Sequence, residues 1–243
     1  YTLTYTATDT VGNTAEITRI VTVIKKIALS VESLTGNWRL TREAGALAVG
    51  PASDDLSWWS NNEIDVWRRA CLFDDLYSFD QSGAFSQEMN SETWVETWQG
   101  VSTEGCGTPV SPHDGSLTDS TYTVGDSQIT VDGVGAFLGI AKATNGAELG
   151  SLDDAVPASR TYDVIEFADD GLSMTIQIGV GNGVWQFKLS KYNGTDPVSA
   201  LGTGIDKVLN IGEVIDFESD SADYGLTDFG GVTSSIVVDP TDS

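Results

Sequence analysis

The chain has 243 residues, 12 Lys and Arg against 36 Asp and Glu, a formal net charge of −24 and a sequence pI near 4.1. That balance excludes nucleic acid and anionic membrane surfaces as partners, because both would be repelled. No apolar run approaches the roughly 20 residues of a bilayer-crossing helix, so membrane insertion is not expected, and the acidic residues are spread along the chain as on a solvated surface.

Residues 1–24 alternate in the manner of two strands, with Tyr1, Leu3 and Tyr5 on one face of the first and Ile20, Thr22 and Ile24 sharing a face of the second. Between them Asp9, Gly12 and Asn13 supply a turn that tolerates positive φ. A lone hairpin is at best marginally stable in water. The tract YTLTYTATDTVGNTAEITRIVTV resembles the last two strands of the bacterial immunoglobulin-like repeats that string together secreted and cell-surface proteins. The resemblance implies that 1–24 is the C-terminal hairpin of an immunoglobulin-like domain and that the chain works outside the cell. Tyr1 opens in mid-strand with no leader before it, so export is argued from this likeness and from the cysteines.

Residues 25–33 read as a linker, and a new module opens at Leu34 and continues to Tyr192. It begins with the strand pattern around Trp38 and continues through Leu76–Phe79, Ala84–Gln87 and Thr93–Trp98. Next come Thr121–Val124, Gln128–Val131, Tyr162–Phe167, Leu172–Ile178 and Val184–Leu189, with tight turns at Gly83, Gly125, Gly171 and Gly179–Gly183. The expected fold is all-β: an antiparallel meander closing into an up-and-down barrel or a flattened sandwich, because a meander of this many strands has to hide its edges. Leu40–Trp67 is too long and irregular for a hairpin loop and is expected to be functional or to hold a short helix. Residues 193–210 read as a second linker, and 211–243 resembles the opening of a further β-sandwich module, so partial β modules are expected on both flanks.

Cys71 and Cys106 belong to no Cys-x-x-Cys pair, and His113 has no second histidine, which argues against zinc and for one disulfide between the two cysteines. Glu63 and Asp65 would share a face if extended, and the run around them resembles the signature of laminarinase and agarase glycosidases. Arg68, however, stands where that signature has its acid/base, and it cannot release a proton at neutral pH. The aspartate pairs Asp54–Asp55, Asp74–Asp75, Asp153–Asp154 and Asp169–Asp170 lack the spacing of a local calcium loop. No cofactor is expected; a structural calcium stays open, with no ligands named. Pro112–Gly115 reads as a rigid turn.

The tryptophans carry the functional expectation, since a flat indole stacks on the C–H face of a sugar. Trp38 and Trp185 read as core. Trp58 and Trp59 are neighbours that cannot both face one core, and Asn61 beside them offers hydrogen bonds, so one of the two indoles is expected at a ligand. Trp94 and Trp98 flank Glu96 on one strand face, either inside the barrel or on an exposed platform. Glu96 is then either ligand-facing or paired internally with Arg68 or Arg69. The candidate ligand-binding residues are therefore Trp58, Trp59, Asn61, Trp94, Glu96 and Trp98.

With GNWRLTREAGALAVGP, WWSNNEIDVWRRACLFDDLYSF, SETWVETWQG, CGTPVSPHDGS and GVWQFKLSKY, residues 34–192 resemble a lipocalin-like accessory module found beside glycoside hydrolases in marine bacteria. The resemblance implies a non-catalytic carbohydrate-binding role toward algal β-glucan in an exported multi-domain protein, with polysaccharide and neighbouring domains of the same chain as partners. A structural or adhesive spacer of a cell-surface protein is the alternative, and a divergent glycosidase the third reading.

Overall fold

The structure, a computed structural model, describes residues 2–20 and 28–194. The module expected over 211–243 and the linker beyond residue 194 lie outside the described residues.

In the first hairpin β1 (Thr2–Thr8) and β2 (Thr14–Ile20) pair antiparallel, with Tyr5 opposite Ile17. Asp9 builds the expected turn: its Oδ1 accepts from the backbone N–H of Val11 and of Asn13, each at 2.9 Å, and Gly12 takes φ +90°.

The second part begins inside the segment read as linker. Leu29 packs against the core, and Ser30 caps the short helix α1 (Val31–Leu34), whose Leu34 carbonyl accepts from Trp38 Nε1 at 2.7 Å. There follow β3 (Gly36–Leu40), β4 (Leu47–Gly50), β5 (Trp59–Ser60), α2 (Glu63–Arg68), α3 (Ala70–Phe73), β6 (Leu76–Phe79), β7 (Phe85–Glu88), β8 (Thr93–Val95) and a 3-10 turn over Thr97–Gln99. The chain continues with β9 (Gly105–Gly107), β10 (Thr121–Val124), β11 (Gln128–Asp132), β12 (Ala143–Thr144), β13 (Ala147–Glu148), β14 (Ser159–Phe167), β15 (Ser173–Gly179) and β16 (Val184–Tyr192).

The strands β3, β6, β7, β10, β11, β14, β15 and β16 are neighbours in sequence order, and the last returns to pair with the first, Leu189 opposite Leu40. This is a nearly closed, antiparallel, up-and-down barrel, and the sandwich alternative falls away. The seam between β7 and β10 is the weakest, held by the Ala84–Thr121 bridge with Phe85 N–H donating to Ser120 and Tyr122 N–H donating to Gly83, each at 2.9 Å. Among the described residues, closure leaves the barrel itself no long edge to recruit another chain.

β16 is long enough to pair twice on one side. Residues Leu189–Tyr192 face β3, and Val184–Phe187 face β4, so β3 and β4 act as two halves of one strand interrupted by the excursion at residues 41–46. β5 then adds to β4. The segment expected to be irregular thus supplies two strands as well as helix.

The registers place the short turns 80–84, 125–127 and 168–172 at one end of the barrel. The long connections 51–75, 89–120 and 133–158 gather at the other. Loops clustered over one mouth of a rigid barrel are the usual seat of function.

The barrel interior is full. Alternate residues such as Trp38, Tyr77, Phe79, Ile129, Tyr162, Ile176 and Phe187 point inward and are buried. The mouth below the long loops is stopped by residues 136–140, whose backbone would be stranded without partners. Side chains from the barrel wall supply them. Tyr77 Oη donates to the Gly139 carbonyl and accepts from the Gly139 N–H, both at 3.1 Å. Tyr162 Oη accepts from Leu138 N–H at 2.9 Å, and Gln87 Oε1 accepts from Phe137 N–H at 3.2 Å. Arg160, fully buried, donates to the carbonyls of Ala136 and Ala141.

The expected Cys71–Cys106 disulfide is present, with Cα atoms 5.9 Å apart, and it ties α3 to β9 across a separation of 35 residues. Closing a loop of that length stabilises by about 3–4 kcal/mol through the entropy of the unfolded chain. Replacing both cysteines by alanine is therefore expected to lower the melting temperature by roughly 6–16 °C. Unchanged thermal melts of the double variant would show that the loop is held by packing alone.

Candidate functional site

Where β4, β5, α3 and the long loops meet, a cleft of about 310 Å³ opens between two indoles, Trp59 of β5 and Trp185 of β16. Their ring centroids are 6.2 Å apart and their planes inclined at 59°, so they form a corner. Leu47, Val49 and Ile140 form its apolar lining. Trp185 is largely buried, as expected for core, but an edge reaches the cleft; its Nε1 donates to Glu148, and its ring lies parallel to that of Phe187.

Two ion pairs flank the corner. Lys142 Nζ donates to Glu96 Oε1 at 3.0 Å and lies 5.3 Å from the Trp185 ring centre, while Trp98 Nε1 donates to Glu96 Oε2 at 3.0 Å. Both oxygens of Glu96 are thus engaged, and its partner is Lys142 instead of Arg68 or Arg69. On the other side Arg69 packs its guanidinium 4.1 Å from the Trp94 ring centre and 5.2 Å from that of Trp59, and reaches Glu104 at 3.6 Å. Burial lowers the proton affinity of Arg69, opposed by the charges of Glu104 and Glu96. It stays a cation nonetheless. The disulfide brings these parts together: Glu104 lies two residues before Cys106, and Arg69 two residues before Cys71.

The six residues expected at a ligand scatter. Trp59 and Glu96 line the cleft, and Trp94 lies partly buried under Arg69. Trp98 is not on a shared strand face with Trp94. The strand ends at Val95, and Thr97–Gln99 coil into a 3-10 turn that Gln99 fastens to Glu96 N–H at 2.9 Å and Gly100 closes at φ +84°. Trp98 therefore holds Glu96 from outside the cleft lining and packs edge-on against His113 at 5.6 Å. Trp58 is half exposed, lying over Gly183, where a Cβ would collide with its ring. Asn61 is buried at 2% exposure, its Oδ1 accepting from Leu47 N–H at 2.7 Å and its Nδ2 donating to the Glu43 carbonyl at 3.0 Å. That amide anchors β4, and both its N–H donors are used, the second on the Asn62 carbonyl at 3.4 Å.

The glycosidase-like run is also rearranged. Glu63 and Asp65 lie on α2, where residues two apart diverge by about 200°. Asp65 serves as half of a capping box: its Oδ2 accepts from Asn62 N–H and Asn62 Oδ1 accepts from Asp65 N–H, each at 3.0 Å. Trp67 on the same helix is 79% exposed. His113 is buried between Trp98 and Phe137 and faces Arg160 at 3.3 Å; burial first, then the Arg160 charge, push its pKa down to about 4. With both cysteines in a disulfide it has no thiol beside it to activate.

Arg69, Glu104, Lys142 and Trp185 as a cleft wall were not singled out as ligand groups by the sequence. The scarcity of cations in so acidic a chain was the available signal, since each Lys or Arg must then sit where it is needed. Among the described residues no group of three or more His, Cys, Asp or Glu could hold a metal ion, and no helix is long and apolar enough to cross a membrane.

The fold and cleft define a nearly closed antiparallel β-barrel domain with a small aromatic and charged recess at its loop-rich mouth. No protein-family model, curated protein or solved structure matches the chain.

Proposed function

We propose that this chain is a non-catalytic carbohydrate-binding domain of an exported or cell-surface protein, with neutral β-glucan as the first polysaccharide to test. The observation that carries the reading is the Trp59–Trp185 corner flanked by Glu104 and Arg69 on one side and Lys142 on the other. An indole takes the C–H face of a pyranose, and neighbouring donors and acceptors take its hydroxyls. The disulfide fits an oxidising compartment. Two of the seven tryptophans, Trp58 and Trp67, stay well exposed, which weighs against a pure spacer. Both carboxylates of the cleft are engaged by cations, which supports binding over glycoside hydrolysis.

The test is affinity electrophoresis through laminarin and mixed-linkage glucan gels. Wild-type protein is expected to be retarded and to release no reducing sugar. Trp59→Ala should weaken binding by about 1–3 kcal/mol, by analogy with other aromatic stacking on rings. Glu104→Gln, at a half-exposed position, should weaken it without altering the melt. Trp38→Ala, in the core, should instead cost about 3–5 kcal/mol of stability. Unretarded wild-type protein, or a Trp59 variant that binds as well as wild type, counts against the proposal.

A further inference from the structure

We infer that the cleft takes the terminal sugar unit of a neutral chain and not its interior; the inference rests on the carbohydrate reading above. Size is the first argument. A volume of about 310 Å³ is near the lower bound of small-molecule sites, about 300 Å³. At roughly 30 Å³ per water it corresponds to about ten waters, the scale of one or two hexose units and not of a long run of sugars.

Shape is the second. A groove that reads the middle of a chain needs aromatic faces in line along it. Here the two indoles meet at 59° and offer a corner suited to a single ring, with no row of aromatic faces along the cleft lining. Leu47, Val49 and Ile140 line the recess, the Lys142–Glu96 bridge flanks it on one side with Trp98 behind, and Arg69 with Glu104 flanks it on the other. The exposed indoles Trp58 and Trp67 are not among the residues that line the recess.

Hydrogen-bonding capacity is the third. Arg69 and Glu104 stand at 3.6 Å, an ion pair beyond hydrogen-bond length, so both keep hydrogen-bonding capacity for hydroxyls beside them. Lys142 uses one of its three N–H donors on Glu96, leaving two to share. Acceptors on Glu104 and donors on Arg69 and Lys142 thus surround the corner, which suits a polyol. Two cations against two carboxylates leave the recess with no surplus positive charge, and a chain of net charge −24 repels polyanions. The ligand is therefore neutral.

Calorimetric titration of the whole chain with neutral gluco-, xylo-, manno- and galacto-oligosaccharides of two to six units, and with a cyclic β-glucan that has no termini, tests this. The expected result is one series binding with dissociation constants equal within about threefold from two to six units, with the cyclic glucan failing to bind. Affinity rising tenfold or more with length, or the cyclic glucan binding as tightly as the linear one, overturns the terminus reading and leaves carbohydrate binding standing. No binding in any series removes the carbohydrate reading itself, and the terminus with it.

Discussion

Gly139→Ala is expected to lose about 2–5 kcal/mol of stability, several times what a surface substitution removes. Gly139 sits at the centre of the segment that stops the barrel mouth, at φ +85°, a conformation that costs an L-residue about 1–2 kcal/mol. A Cβ there would also lie inside van der Waals contact of three Phe187 ring atoms, and overpacking in a full interior costs roughly another 1–3 kcal/mol. Displacing the segment would strain both hydrogen bonds between Gly139 and Tyr77. Gly146→Ala separates the two effects, because Gly146 has φ +89° with nothing within 4 Å of an added Cβ. Thermal melts should show Gly139→Ala well below Gly146→Ala. Equal melting temperatures would mean that Phe187 does not close on the segment as described.

Asp75→Asn is expected to act in the opposite direction and to do so only as pH rises. Asp75 is fully buried before β6, with Thr93 Oγ1 donating to its Oδ2 at 2.6 Å and no partner on Oδ1. Burial pushes its pKa up to about 8, opposed by the Thr93 hydrogen bond and aided by the Asp74 charge. Unfolded, it titrates near 3.8. Between about pH 4 and pH 8 the folded chain therefore keeps a proton that the unfolded chain releases, so stability is fully present below pH 4 and falls as pH rises through that window. The asparagine, neutral at every pH, escapes the loss. Its advantage over wild type should be near zero at pH 4 and on the order of 5 kcal/mol at pH 8 and above, at about 1.4 kcal/mol per unit.

His113 has the reverse dependence. Its folded pKa of about 4 lies below the unfolded 6.5, so its share of stability is present above pH 6.5 and is lost as pH falls toward 4. From these two groups, wild type should show opposing slopes between pH 4 and 6.5 and a decline from 6.5 to 8. The Asp75 variant should keep the acid-side slope and lose the decline. Chemical denaturation at half-unit pH steps reads both, and a variant whose advantage does not change with pH would show that Asp75 is ionised in the fold.

The Thr93–Trp98 run illustrates where local pattern stops being enough. Threonine, tryptophan and valine alternate as strand residues through Val95, but Gly100 at positive φ and the Gln99 side chain turn the next residues into a 3-10 coil. The same happens at Glu63–Arg68, where an extended reading pairs two carboxylates, and the Asn62–Asp65 capping box makes helix instead. Asn61 looked like a ligand group because it is polar among polar neighbours; its burial follows from the return of β5 onto β4, which no nearby residue announces.

What the sequence by itself determined is what lies within a few residues along the chain. Period-two alternation marked β6, β10, β11, β15 and β16, and glycine-bearing turns joined them into a meander. Two cysteines without metal-type spacing marked the disulfide. Tertiary structure alone decided that β16 returns to β3 to make a barrel, that Glu96 meets Lys142 across 46 residues, and that Arg69 reaches Glu104 through the loop the disulfide ties. The reason is physical: strand and turn preferences act through neighbouring dihedrals, whereas an ion pair or a cleft wall depends on which distant surfaces the closed sheet brings together.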